Sequence, residues 1–213
     1  MSTFFSEAWT RNSSLVYRLR FGYMKDSRMN TPSMKASAIL PATSFGLTNG
    51  FRTAPIILAV VLTLLTQHNA SSVVVTGHSL GAALALLDSV YLPLHLPAGT
   101  RVTMVGYGMP RVGNPAFADY VDAMRRSDSV RVTVTHINNK KDPIPILPGR
   151  FMGFAHPAGE VHIPYDSGSA WVACSGQDNP SLLCTVGGVP NVVQSNILDH
   201  LGSYDDHIFM GLC

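Results

Sequence analysis

The stretch that most constrains this chain is Ser72-Val73-Val74-Val75-Thr76-Gly77-His78-Ser79-Leu80-Gly81-Ala82-Ala83-Leu84-Ala85. A β-branched run stops at Gly-x-Ser-x-Gly and continues into a Leu/Ala-rich segment, the pattern of a strand, a sharp turn and a helix. To stand at the tip of that strand, Ser79 must take a strained backbone conformation, and side chains at Gly77 or Gly81 would collide with the neighbouring elements. The following helix aims its first amides, Leu80's among them, at the space above Ser79, where an oxyanion forms in acyl transfer. A flexible turn with a capping serine has the same five-residue signature in isolation. The strand before it and the helix after it favour a nucleophile.

A serine hydroxyl is a poor nucleophile at neutral pH. It needs an imidazole to take its proton and a carboxylate to fix the imidazole's tautomer and charge. Strand Arg101–Gly108 and strand Val130–Ile137 follow the elbow, separated by a helix that Asn114 caps and Pro115 begins. Alternating strands and helices imply crossovers in a mostly parallel sheet, so functional groups gather at the strands' carboxyl ends. Asp142, in the loop after Val130–Ile137, emerges on the same edge as Ser79. His200, in the apolar segment Ile197–Tyr204, comes last, which gives the chain order Ser79, Asp142, His200.

His207, beside Asp205 and Asp206, is the second candidate for the base. Asp166 and Asp178 are weaker candidates for the acid, because no parallel strand leads directly into them. His78 neighbours the nucleophile but is expected to point away from the turn, and His136 lies inside a strand. No histidines or cysteines share metal-ligand spacing on one element, so neither a metal nor a cofactor is expected.

The 213 residues suffice for one α/β domain with a sizeable core. Only 13% are charged and 46% are hydrophobic, which excludes a disordered chain. Basic residues are scattered rather than interleaved with aromatics, so no nucleic-acid footprint is expected. The longest apolar run, Ala54 to Leu65 with one threonine inside, is well short of the ~20 residues a membrane span needs. Residues 1–49 are poorly specified, Asn49-Gly50 reads as a turn, and Arg52–His68 as a partly buried helix opening the domain 50–213. No signal-peptide pattern is visible in the first 35 residues, which by itself predicts a cytosolic chain.

Glu160–Tyr165 alternates as an edge strand, with Ala170–Ala173 as its partner. Cys174 and Cys184 flank a polar loop and fit either a local disulfide or reduced thiols, while Cys213 has no partner left. Asn12-Ser13-Ser14 and Asn69-Ala70-Ser71 match the glycosylation triplet.

The elbow, Tyr107-Gly108-Met109-Pro110-Arg111-Val112-Gly113-Asn114, Thr135-His136-Ile137-Asn138 with Asp142-Pro143-Ile144-Pro145-Ile146-Leu147-Pro148, and Asp199-His200-Leu201-Gly202 together resemble the fungal class 3 lipases. The resemblance runs from about Gly50 to Cys213. It implies a secreted α/β-hydrolase that cleaves lipid esters, with Ser79, Asp142 and His200 as its triad, and a monomer acting at a lipid–water interface is expected. It also implies a disulfide between Cys174 and Cys184, and a structural turn at Gly108, Pro110 and Arg111. The family carries an upstream strand that supplies a second oxyanion donor, followed by a lid. Residues 1–49 match neither, so the sheet is expected to be incomplete on its N-terminal side. A truncated, weakly active remnant and a feruloyl-type esterase share the same motifs.

Overall fold

The computed structural model describes residues 5–11, 14–20, 44–127, 132–165, 170–204 and 208–210, with only the backbone described before residue 54. A seven-stranded sheet in sequential order organises these residues. Its strands are β1 (Phe5–Arg11), β2 (Ser14–Arg20), β3 (Ser72–His78), β4 (Arg101–Tyr107), β5 (Val132–Asn139), β6 (Glu160–Ile163) and β7 (Val172–Cys174). Strands β2 to β6 run parallel, and antiparallel partners close both ends, β1 on β2 and β7 on β6.

The Ser79 side of the sheet therefore differs from the expectation. β2 pairs with β3 from Ser14 opposite Ser72 to Arg18 opposite Thr76, so the strand that carries the nucleophile is flanked on both sides. The segment Ser14-Leu15-Val16-Tyr17-Arg18-Leu19-Arg20 has three apolar residues in succession and alternates only over its last three, too weak a pattern to stand out by itself, and a neighbouring strand supplies the pairing. β6 is likewise internal rather than an edge, because β5 pairs with it on one side and β7 on the other.

Helix α1 (Ser44–His68) begins before the expected turn, so Asn49-Gly50 lies inside it, as does Pro55. Local turn preference amounts to only about 1 kcal/mol for a glycine, less than a long helix gains by continuing onto an apolar core. Ile57, Val61 and Leu65 of α1 join the core built with β3, β4 and helix α2 (Leu80–Tyr91). α2 is buried from Gly81 to Leu86, which explains its near-continuous Ala/Leu composition.

Helix α3 (Pro115–Arg126) starts as its sequence dictates, with the Asn114 Oδ1 accepting the Phe117 N–H at 2.9 Å and Pro115 at the first helical position. It buries Phe117, Val121 and Met124 against the same core. A smaller cluster joins Ile137 of β5, Ile163 of β6 and Tyr204. Cys174 and Cys184 form a disulfide with Cα atoms 5.9 Å apart, pinning the loop that follows β7. Asn69 and Ser71 are exposed at the end of α1. Asn12, Asp166, Asp205, Asp206, His207 and Cys213, each weighed from the sequence, lie outside the described residues.

Candidate active site

The elbow forms as the glycines require. Ser79 has φ 57° and ψ −127°, a left-handed conformation rare for a residue with a side chain, and α2 begins at the next residue. A Cβ at Gly77 would strike the Gly81 carbonyl oxygen and lie 2.7 Å from the Ala82 nitrogen. The Ser79 N–H donates to the Tyr107 carbonyl at 2.9 Å, extending the β3–β4 ladder into the turn and holding the strained residue against the sheet. The Leu80 N–H is in the first turn of a twelve-residue helix, where backbone amides have no partner within the helix.

β5 ends at Asn139 on the same edge, and Asp142 follows in a tight turn. Asp142 is buried, its Oδ1 accepting the Ile144 N–H at 2.8 Å and its Oδ2 2.7 Å from the His200 Nδ1. That contact fixes the proton of a neutral His200 on Nδ1, leaving Nε2 as the free base. His200 lies on the single-turn helix α5 (Leu198–Leu201), with its ring largely covered. The sequence-expected serine, acid and base thus come from the end of β3, the loop after β5 and the last helical turn, and the acid and base are in direct contact.

So short a helix does not hold itself in place. The loop after β5 stitches it down: the Asn139 side chain donates to the Asp199 carbonyl at 2.9 Å, the Lys141 N–H to the Asp199 carboxylate at 3.1 Å, and the Asn196 N–H to the Lys141 carbonyl at 2.8 Å. The His200 carbonyl accepts from the Tyr204 hydroxyl at 3.1 Å and from the His78 Nε2 at 2.8 Å. The sequence reading missed these contacts, since they link positions up to 122 residues apart. It also misplaced His78, which turns toward the base: its ring centroid is 4.4 Å from that of His200, with the planes tilted by 32°. Tyr204 sits within four residues of His200, the one sequence signal that pointed to it.

Electrostatics keep these supporting groups neutral. Burial pushes the His78 pKa down, and the nearby His200 adds to that, although the carbonyl it donates to opposes the shift. Burial first, and then the Asp142 charge, hold the Tyr204 phenol protonated far above the usual tyrosine range. Gly108, with φ 53°, faces the pair directly: a Cβ there would lie 2.7 Å from the Tyr204 hydroxyl and 2.8 Å from both Asp142 Oδ2 and His200 Nδ1. The turn expected at Gly108-Met109-Pro110-Arg111 is therefore structural, but its glycine is what allows acid and base to meet.

The rival groups have other partners. Asp178 is engaged by Arg111, whose Nε and Nη2 reach its Oδ1 at 2.9 and 2.7 Å, and by the His156 N–H at 3.2 Å. Arg111 also donates to the Ile146 and Pro148 carbonyls, bracing the segment that follows Asp142. His136 and His156 stack 4.9 Å apart and donate to the Pro157 and Pro145 carbonyls, and both ring nitrogens of His162 meet carbonyls.

The family model for lipase (class 3) matches residues 24–152, well over half of the chain. The chain belongs to the class 3 lipases. Among relatives, a secreted mono- and diacylglycerol lipase of Malassezia globosa is 36% identical over 138 residues, covering 65% of this chain and 42% of that protein. The chain thus spans about two fifths of the length of the curated relatives it matches. Lipase II of Rhizopus niveus shares the fold with a TM-score of 0.73 at 27% identity, over 93% of this class 3 chain and 73% of that one. A triacylglycerol lipase whose catalytic centre is described as a serine protease triad aligns with a TM-score of 0.72 at 27% identity, over 94% of this chain and 74% of that one.

Proposed function

We propose that this chain hydrolyses carboxylic esters of acylglycerols through an acyl-enzyme, with Ser79 as nucleophile, His200 as general base and then acid, and Asp142 as the orienting carboxylate. The observation that carries the reading is the buried 2.7 Å contact between His200 Nδ1 and Asp142 Oδ2, beside a left-handed Ser79. Ser79 Oγ attacks the ester carbonyl as His200 Nε2 takes its proton, and Asp142 stabilises the imidazolium. The Leu80 N–H, at the positive end of α2, faces the developing oxyanion. His200 then protonates the departing alcohol, and a water, activated by the same nitrogen, releases the fatty acid.

β2 runs parallel to β3 on the Ser79 side, so its end at Arg20 reaches the same sheet edge. That is the position from which a second oxyanion donor would come, and it weighs against a remnant without the upstream strand. Membership of the class 3 lipases, and relatives named as secreted acylglycerol lipases, support the substrate class and an extracellular location. So do exposed aliphatic residues next to the functional groups in the chain, Leu80 after Ser79 and Ile197, Leu198 and Leu201 around His200. Exposed aliphatic side chains of this kind suit an acyl chain or a lipid–water interface better than an aromatic plant-wall ester. No helix among the described residues is long and apolar enough to cross a membrane.

Fluorophosphonate labelling of the purified chain tests the assignment. An adduct on Ser79, long-chain acylglycerol hydrolysis exceeding feruloyl-ester hydrolysis, and loss of turnover in Ser79→Ala by ~10⁴-fold or more are expected. Undiminished hydrolysis in Ser79→Ala would sink the proposal.

A further inference from the structure

We propose that His78 is a positioning residue for the base, clamping the main chain at His200 to the elbow that carries Ser79. The inference rests on the function proposed above and names what holds two of its groups in register.

The problem it answers is mechanical. His200 sits on a helical turn of four residues, and the bonds from Asn139 and Lys141 tie that turn to the loop bearing Asp142. They set the base against the acid, but not against the nucleophile. His78 is covalently adjacent to Ser79, and Ser79 is itself fixed to the sheet through its N–H bond to Tyr107. From that anchored position, the His78 imidazole reaches the His200 carbonyl at 2.8 Å. A carbonyl oxygen can only accept, so His78 carries its proton on Nε2, and the bond exists only in that tautomer.

The ring does a second job. With centroids 4.4 Å apart and a tilt of 32°, it lies against the His200 imidazole and restricts the side chain's rotation as well as its backbone. Burial keeps His78 uncharged, so the contact places no cation beside a base that must itself become cationic. Tyr204 donates to the same carbonyl, so the oxygen accepts from two donors. Proton transfer from Ser79 requires a donor–acceptor approach near hydrogen-bond distance, and a misplacement of ~1 Å can lower the rate about 100-fold.

Two substitutions in the full chain separate the clamp from simple packing. His78→Phe keeps an aromatic face against His200 and loses the donor, whereas His78→Gln keeps an N–H at similar reach. On a soluble short-chain ester, His78→Phe is expected to lower kcat by ~10- to 100-fold with KM nearly unchanged, and His78→Gln to recover to within ~3-fold of the parent. Unchanged kcat in His78→Phe overturns the proposal, as does a His78→Gln variant that fares no better than His78→Phe.

Proton NMR of the same three proteins reads the clamp without turnover. The far-downfield resonance of the His200–Asp142 hydrogen bond is expected in the parent and in His78→Gln, and broadened away in His78→Phe. Equal resonances in all three overturn the clamp. If the parent neither labels nor turns over while the resonance still responds to His78, it is the proposed function that fails and the clamp that stands.

Discussion

Replacing Asp178 with alanine removes the counter-charge of a guanidinium that has almost no access to solvent. The Arg111 side chain is 2% exposed and Asp178 10%, with their closest atoms 2.7 Å apart. One carboxylate oxygen takes two Arg111 nitrogens, and the other takes the His156 N–H. In Asp178→Ala, Arg111 keeps its bonds to the Ile146 and Pro148 carbonyls but stays buried as an uncompensated cation. Breaking a buried pair in this way destabilises by about 3–5 kcal/mol. For a domain of this size each kcal/mol lowers the melting temperature by roughly 2–4 °C, so a drop of roughly 10 °C is expected. Thermal and urea unfolding followed by circular dichroism would measure it. The double variant Arg111→Met, Asp178→Ala removes the orphaned charge and should lose less than the two single losses added together, by about 2 kcal/mol or more. A single variant melting within 2 °C of the parent, or strictly additive single losses, would refute the buried-pair reasoning.

Two further outcomes follow from the site and the buried histidines. Gly108→Ala puts a methyl group into the space shared by Tyr204, Asp142 and His200 at a left-handed backbone position, and a loss of ester turnover of ~100-fold or more is expected; near-parent kcat would refute it. Burial lowers the pKa of both His136 and His156, and the charge of His136 and of Arg111 lowers that of His156 further. Unfolding therefore takes up protons: the stabilising effect of keeping these rings neutral is complete above the ordinary histidine pKa and is lost as pH falls below it. Asp88 acts with the opposite sign, because burial raises its carboxyl to about 7 and unfolding releases that proton on the acid side. In Asp88→Asn that opposing contribution is gone, and urea unfolding should show stability falling by up to ~2 kcal/mol for the two rings between pH 6.5 and 5.5. A flat profile across that unit would contradict the assignment.

The parts of this protein that obey local rules were legible in the sequence. Gly77 is dictated by the collision a side chain would make with the Gly81 backbone, Asn114-Pro115 by helix capping, and the β-branched run of β3 by a parallel sheet that buries one of its faces and half-buries the other. Chain order on such a sheet then selected Asp142 and His200, whose contact the structure shows. The two N-terminal strands were hidden for the opposite reason. β2 is a short, weakly patterned segment whose strand character comes from pairing with β3, and no local signal reports a partner more than fifty residues away. The turn expected at Asn49-Gly50 was overridden in the same way by the helix that runs through it.

By itself the sequence determined the elbow at Ser79, the parallel α/β sheet and the three groups of the candidate site, because each follows from backbone sterics or from strand direction. Only the tertiary structure decided how those groups are supported. It turned His78 onto the base, bonded Tyr204 to the His200 carbonyl, gave Asp178 to Arg111 and kept a Cβ out of the space at Gly108. These are contacts between residues far apart in the chain, and their energies come from burial and from shared hydrogen-bond partners, neither of which exists until the chain has folded.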